Sequence, residues 1–327
     1  MRSDRFATPV RIVSNPFSAK DMINSRLGQI DGFDVIPVED RSELVAAIKG
    51  ARVLIMPGGG FFFDAELADM LREHARELRW IQLTSAGYDG LEINGVPDGV
   101  VVTNNGGALG APVAEHAITL LLALARRLPD FWQNQSTKLW MRKAEAPITS
   151  LEGRTIAVVG FGAIGREAAL RAKAFGMRVL GIRRTPTPDA LADEMFAVEN
   201  LERALAQADA VLISLPLNDE TRNMFNSRTL AACKAGALIV NVGRGALVDT
   251  HALVDALHSG HIGGAGLDVV EPEPVPSDHP LWSAPNIMIT PHIAGSGSDA
   301  SYQRVADTIE INMKRYLAGE PLQHQVM

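Results

Sequence analysis

Three residues of this chain have the chemistry to assist hydride transfer to a keto acid if a fold gathers them: Arg244, Glu273 and His292. Arg244 stands in Asn241-Val242-Gly243-Arg244-Gly245, Glu273 in Asp268-Val269-Val270-Glu271-Pro272-Glu273-Pro274, and His292 in Thr290-Pro291-His292-Ile293-Ala294-Gly295. A guanidinium offers a fixed fork of donors that binds a carboxylate and polarises the carbonyl beside it. An imidazolium donates a proton to the alkoxide that forms as hydride arrives, and a neutral imidazole takes that proton back in the reverse direction. A carboxylate on the far ring nitrogen holds the tautomer and favours the protonated ring. Each residue alone has an ordinary alternative: a structural ion pair for the arginine, a loop histidine, a solvated glutamate. Their joint placement after strand-like runs favours the catalytic reading, with the choice between Glu271 and Glu273 left to loop geometry.

A site for the hydride carrier lies upstream, in Gly160-Phe161-Gly162-Ala163-Ile164-Gly165. Gly160 permits a tight turn, Gly162 lets a pyrophosphate approach the backbone, and Gly165 allows helix and strand to pack closely; the amides that open the helix then face phosphate oxygens. The residue that holds the adenosine ribose belongs about 20 residues further on, at the tip of the next strand. Arg183-Arg184-Thr185 stands there, with no Asp or Glu. Arginine suits a 2'-phosphate through charged planar donors, so NADP(H) is expected over NAD(H), with NAD(H) possible. Solvated surface charge is the alternative for Arg183 and Arg184. Asp268 is a candidate for the nicotinamide amide or ribose, or for a loop cap. Gly58-Gly59-Gly60 and Ser85-Ala86-Gly87 offer approachable amides for a substrate carboxylate, or close turns. Phe61, Phe62 and Phe63 can wall a pocket, though at least one belongs to the core.

The elements that must position these residues alternate between strand and helix. Runs at Val10 to Ser14, Arg52 to Met56, Arg79 to Leu83 and Val100 to Thr103, with helical spacing over Arg41 to Lys49, predict a small α/β domain. A long apolar helix is expected over Pro112 to Leu128, then a more polar crossing segment from Asp130 to Pro147. Strands at Ile156 to Val159, Arg178 to Ile182, Ala210 to Leu215, Ala237 to Asn241, Gly264 to Leu267 and Ile287 to Ile289, separated by helices such as Ile164 to Phe175, predict a doubly wound parallel sheet. The final helix, Asp299 to Leu317, returns to the first domain. The expected organisation is a discontinuous, smaller α/β substrate-binding domain of residues 1–105 and 297–327 around a nucleotide-binding domain of residues 106–296.

Composition narrows the partners. The 327 residues carry 31 Lys plus Arg against 38 Asp plus Glu, a formal charge of -7 without basic blocks, which argues against nucleic acid. Cys233 is the only cysteine, so no intrachain disulfide or thiolate metal cluster can form, and no metal is expected. The most apolar stretch, Ala117 to Ala125, is too short to span a bilayer, so the expectation is a cytoplasmic protein without a membrane partner.

Taken in order, the motifs resemble the D-isomer-specific 2-hydroxyacid dehydrogenase family, close to its glyoxylate/hydroxypyruvate reductases. The likeness rests on Leu83-Thr84-Ser85-Ala86-Gly87-Tyr88-Asp89, Pro112-Val113-Ala114-Glu115-His116-Ala117, the glycine turn, Leu215-Pro216-Leu217 with Glu220-Thr221-Arg222, and the segments around Arg244, Glu273 and His292. It implies a flavodoxin-like substrate domain beside a Rossmann-type NAD(P) domain. It implies that Arg244 binds and polarises the keto acid, with Glu273 and His292 as the acid/base pair. Asp268 then lies on the nicotinamide side, and Gly59, Gly60, Ala86 and Gly87 help hold the carboxylate. Leu215, Pro216, Val242, Gly243 and Gly295, in the segments quoted, count as cofactor contacts. The resemblance also implies a homodimer, in which Trp140 matches a tryptophan that reaches a neighbouring subunit's site. The chain departs from the family at Arg183, where NAD-using members carry an acid, and around Asn105-Gly106-Gly107-Ala108-Leu109.

The expected function is therefore NADPH-preferring reduction of glyoxylate, hydroxypyruvate or a related small 2-keto acid to the D-2-hydroxy acid. A dehydrogenase for bulkier acids and a non-catalytic NAD(P)-sensing protein on the same fold are the alternatives.

Overall fold

The computed structural model describes residues 8–17, 19–142 and 147–327. The chain divides into two compact units, Met1–Leu109 with Gly297–Met327, and Gly110–Ser296. The first division lies beyond residue 105 because Ala108 and Leu109 still pack against the core of the first unit.

The first unit alternates strand and helix: β1 (Val10–Ser14), α1 (Lys20–Leu27), β2 (Phe33–Pro37), α2 (Arg41–Ala47), β3 (Val53–Met56), α3 (Ala65–His74), β4 (Trp80–Leu83), α4 (Asp89–Asn94) and β5 (Val101–Thr103). The strands pair in parallel in the order β2-β1-β3-β4-β5. Side chains of a strand alternate between faces, and the core follows that period. Val10, Ile12, Val53 and Ile55 lie in one cluster with Ile23 and Leu27 of α1, while Val13, Leu54 and Met56 lie in the other with Leu44, Leu67 and Leu71 of α2 and α3.

The second unit opens with α5 (Gly110–Ala125) and α6 (Leu128–Ser136). The single long helix expected here is broken at Arg127, whose backbone is left-handed (φ 56°), and Pro129 sits in the first turn of the new helix, where its missing N–H costs nothing. The expected polar crossing segment from Asp130 thus begins as helix, and residues 143–146 of it lie outside the described residues. There follow β6 (Thr155–Val159), α7 (Ala163–Ala174), β7 (Arg178–Ile182), β8 (Glu194–Phe196), α8 (Leu201–Leu205), β9 (Ala210–Ile213), α9 (Ser227–Ala231), β10 (Ala237–Asn241), α10 (Thr250–His258), β11 (Ile262–Leu267) and β12 (Ile287–Ile289). The seven strands pair in parallel in the order β12-β11-β10-β9-β6-β7-β8. Helices cover both faces: α5 and α7 bury Leu121, Leu124, Ala168 and Ala172 against Ile156, Val158 and Leu212, and α8 to α10 bury Leu205, Leu230 and Leu253 against Val159, Val211 and Ile239. Strand order reverses between β6 and β9, so their carboxyl ends flank the crevice that a doubly wound sheet offers to ligands. The last helix, α11 (Asp299–Ala318), returns to the first unit and packs Val305, Ile309 and Met313 on β1, β3 and β4.

Candidate active site

The glycine turn and the chemical loops of the second unit follow the carboxyl ends of strands. Gly160 follows β6, Arg183 follows β7, Val242 follows β10, Asp268 follows β11 and Thr290 follows β12. The glycine turn meets the steric demands of a nucleotide cradle. Gly160 has φ 100°, and a side chain there would strike the Ser214 backbone at 2.7 Å. A Cβ on Gly165 would collide with the Gly160 carbonyl, whereas one on Gly162 would meet open space. Gly160 and Phe161 both donate their amides to the Ile182 carbonyl (3.0 and 3.1 Å), and the Phe161 ring is buried in the core. Those two residues shape the turn. The donors left for an anion are amides of the helix start: the first bond of the α7 ladder runs from Arg166 to the Gly162 carbonyl, so Ala163, Ile164 and Gly165 have no partner within it. The residues present thus fit a dinucleotide pyrophosphate.

Arg183 and Arg184 are exposed just past the end of β7; the Arg183 amide donates to the Phe196 carbonyl, and its guanidinium lies 3.5 Å from Thr187 Oγ1. Across the switch point the two loops that flank the turn touch each other. A Cβ on Gly243 would meet the Leu215 carbonyl at 2.9 Å, Val242 is buried with its amide on the Ile213 carbonyl, and Pro216 is exposed with its carbonyl accepting from Thr221. Gly295 is half-buried beyond the His292 segment.

Arg244, Glu273 and His292 lie on separate loops far apart in sequence, yet the loops fold toward one another. Gly245 approaches the Val270 backbone so closely that any side chain there would collide with it, which sets the Arg244 segment against the Glu273 segment. Glu273 Oε2 lies 2.8 Å from His292 Nδ1, and Glu273 Oε1 accepts from the Val270 amide at 3.1 Å. Partial burial alone would push the Glu273 carboxyl up; the His292 hydrogen bond, the Val270 amide and the charges of His292 and Arg244 outweigh it and hold the group below the usual carboxylate range. Glu271 is exposed and pairs instead with Arg222 at 3.3 Å, so geometry selects Glu273 for the imidazole. Arg244 itself is fixed by its carbonyl, which accepts from Asn241 Nδ2 at 2.8 Å, and by a guanidinium contact to the Gly243 carbonyl at 2.7 Å.

Asp268 stands just past the end of β11 and caps the loop after β12. It is 1% exposed, and Oδ1 accepts from Thr290 Oγ1 (2.7 Å) and the Ile293 amide (3.0 Å) while Oδ2 accepts from the Ala294 amide (2.9 Å). Its carbonyl takes the His292 amide at 2.8 Å. His116 of α5 completes the cluster, with Nε2 at 2.8 Å from Thr290 Oγ1 and 3.4 Å from Asp268 Oδ1. Sequence reading quoted His116 only within a motif and gave Thr290 no role. The available signal was a histidine in the first half of a largely apolar helix.

In the first unit the two expected turns meet each other. Ser85 Oγ accepts from the Gly58 amide and donates to the Gly87 carbonyl (both 2.9 Å), and Asn104 Nδ2 donates to the Ala86 carbonyl at 3.0 Å. The Gly60 amide is taken by Asp89 at 3.3 Å, while Gly59 faces open space. Phe63 is core, Phe61 is exposed, and Phe62 packs between Phe17 and Phe61. Trp140 is 94% exposed in the segment after α6. Among the described residues no group of His, Cys, Asp and Glu forms a metal site, and no helix is long and apolar enough to cross a membrane.

Comparison with known proteins places this geometry. The chain is 38% identical over 264 residues to the glyoxylate reductase of Thermococcus gammatolerans, covering 79% of this chain and 77% of that one. A D-isomer specific 2-hydroxyacid dehydrogenase family protein from Aeromonas salmonicida superposes with a TM-score of 0.85 at 31% identity, over 98% of this chain and 99% of that one. The NADPH-dependent glyoxylate/hydroxypyruvate reductase of Sinorhizobium meliloti, solved with NADP and malonate, superposes with a TM-score of 0.77 at 29% identity, over 98% and 97% of the two chains. Residues 118–294 match the family model of the D-isomer specific 2-hydroxyacid dehydrogenase NAD binding domain. With its Rossmann-like sheet, its dinucleotide cradle and a second parallel-sheet unit, the chain belongs to the D-isomer specific 2-hydroxyacid dehydrogenases, NAD(P)-dependent oxidoreductases of 2-hydroxy and 2-keto acids.

Proposed function

We propose that the chain is an NADPH-preferring reductase of small 2-keto acids, glyoxylate and hydroxypyruvate, yielding D-2-hydroxy acids. The observation that carries this reading is the 2.8 Å contact of Glu273 with His292 Nδ1, beside the loop of Arg244. With Nδ1 engaged by the carboxylate, Nε2 is the atom that carries the proton to the substrate. The bound cofactor supplies the hydride. Arg244 binds the substrate carboxylate, polarises the carbonyl and stabilises the charge that develops on its oxygen. His292 then protonates that oxygen from Nε2, and Glu273 stabilises the imidazolium beforehand. Gly59, Gly60, Ala86, Gly87 and Trp140 are assigned as further substrate contacts, with Gly59 the best-disposed donor of its turn.

NADPH preference rests on Arg183 and Arg184, exposed where an NAD enzyme carries a ribose-binding acid, and is supported by the NADPH dependence of the Sinorhizobium relative. A homodimer is supported by α6, which buries none of its residues, and by the exposed Trp132, Leu139, Trp140 and Met141 on and after it. The acidic net charge and single buried cysteine suit a cytoplasmic setting.

The test is steady-state reduction of glyoxylate, hydroxypyruvate and a bulkier series of 2-keto acids with NADPH and NADH in parallel. Higher kcat/KM with NADPH, and its selective loss in Arg183→Ala, is expected. NADH preference overturns the phosphate-site assignment, preference for bulky acids overturns the substrate assignment, and cofactor binding without turnover overturns the enzymatic one.

A further inference from the structure

We propose that His116 is a positioning residue for the acid/base loop, acting on His292 through Thr290 and Asp268; the inference rests on the reading of His292 as the proton donor. The directions of the hydrogen bonds follow from what each atom can give. The Asp268 carboxylate accepts, so the one hydroxyl proton of Thr290 goes to Oδ1 at 2.7 Å. The Thr290 oxygen then has only lone pairs left for His116, 2.8 Å away, and His116 must donate from Nε2. The chain of donors therefore runs from His116 to Thr290 to Asp268, and the tautomer of His116 is fixed as Nε2–H.

Asp268 passes this constraint to the loop. Its carbonyl and its two carboxylate oxygens accept the amides of His292, Ile293 and Ala294, three consecutive donors. His292 has φ 53°, a left-handed conformation that costs a non-glycine residue roughly 1 kcal/mol or more. The three bonds onto Asp268 sustain that conformation and so aim the imidazole. Asp268 at the centre of the cluster is buried and His116 and Thr290 are half-buried, whereas both side chains of the Glu273 contact are exposed. It also ties α5, by which the chain enters the second unit at Gly110, to the segment by which it leaves at Ser296.

The experiment uses the full chain and the variants His116→Phe, His116→Gln and Thr290→Val. Long-range ¹⁵N–¹H correlation of the wild-type His116 ring is expected to show the Nε2–H tautomer. His116→Phe is expected to lower kcat about 10-fold, the scale of a small misplacement of a reacting group, with KM for NADPH within about twofold. The same variant should speed hydrogen exchange of the Ile293 and Ala294 amides by about 10-fold. His116→Gln, which keeps a donor, should recover most of both losses, and Thr290→Val should match His116→Phe with no further loss in the double variant. An Nδ1–H tautomer overturns the proposal. So does a His116→Phe protein that only melts earlier, with kcat and the exchange of those two amides unchanged. The ring and amide readouts need no substrate, so they decide the link even if 2-keto acids are not turned over.

Discussion

The second unit holds two associations of histidine with carboxylate that meet at the segment after β12, and they are built in opposite ways. His292 and Glu273 touch directly, with both side chains more than a third exposed. His116 and Asp268 are joined through a hydroxyl, and the Asp268 carboxylate accepts two further backbone amides from within the core. An exposed pair contributes little to stability, because solvent screens it and the side chains lose entropy in forming it. A buried carboxylate with its donors satisfied is costly to disturb, because removing one partner leaves the others desolvated and unpaired. The first association is thus free to serve chemistry and the second to hold shape, and substitutions in each should fail by different observables.

The largest effect is expected at the exposed end. His292→Gln removes the only titratable donor on the loop, and kcat should fall on the order of 10³-fold, within the range for loss of general acid catalysis. Its melting temperature should stay within a degree or two of the wild type, read by calorimetry. A large drop in melting temperature would show that the exposed pair is structural after all. Glu273→Gln keeps the shape but cannot stabilise the imidazolium, and a loss on the order of 10²-fold is expected, less than that of a catalytic triad left with the wrong tautomer.

The buried association predicts the reverse order of observables. Asp268→Asn puts an NH₂ group where an acceptor stood, against the Ile293 or Ala294 amide, and a destabilisation of about 1–3 kcal/mol is expected. For a chain of this size that is a fall of several degrees in melting temperature. Activity falls with it because the His292 backbone loses its anchors. Unchanged stability would mean that the carboxylate does not hold the loop in solution.

This contrast also marks what sequence could reveal. Six of the seven strands of the second unit were legible because each is a short apolar run between breakers, and the three chemical residues because they follow those runs. The steric roles of Gly160 and Gly165 were legible because few other residues fit such turns. What escaped detection was through-space. Phe33–Pro37 and Glu194–Phe196 are edge strands with mixed patterns, and pairing with β1 and β7 defines them. Asp268 was read as a cofactor contact or a loop cap, and its position at a strand end says nothing of the direction of its side chain; its partners Thr290, Ile293 and Ala294 lie on the next loop. The turn at Gly160 was legible, but not that β7 takes the amides of Gly160 and Phe161, a pairing that no local pattern announces.

The smallest expected effect is the acid sensitivity of the exposed pair. The folded state holds the Glu273 carboxyl below its ordinary value, so the unfolded chain binds a proton there at higher pH than the folded one. The contribution to stability is therefore complete above the unfolded value, about 4.3, and is lost as pH falls through the depressed folded value. Because the group is more than a third exposed, screening limits it to at most about 1 kcal/mol. The stability difference between wild type and Glu273→Gln, from denaturant titrations at a series of pH values, should be flat above pH about 5 and shrink below about 4. A difference that stays constant down to pH about 3 would show that the carboxylate is not held by His292 in solution, and the distinction between a pair kept for chemistry and a cluster kept for shape would lose its first member.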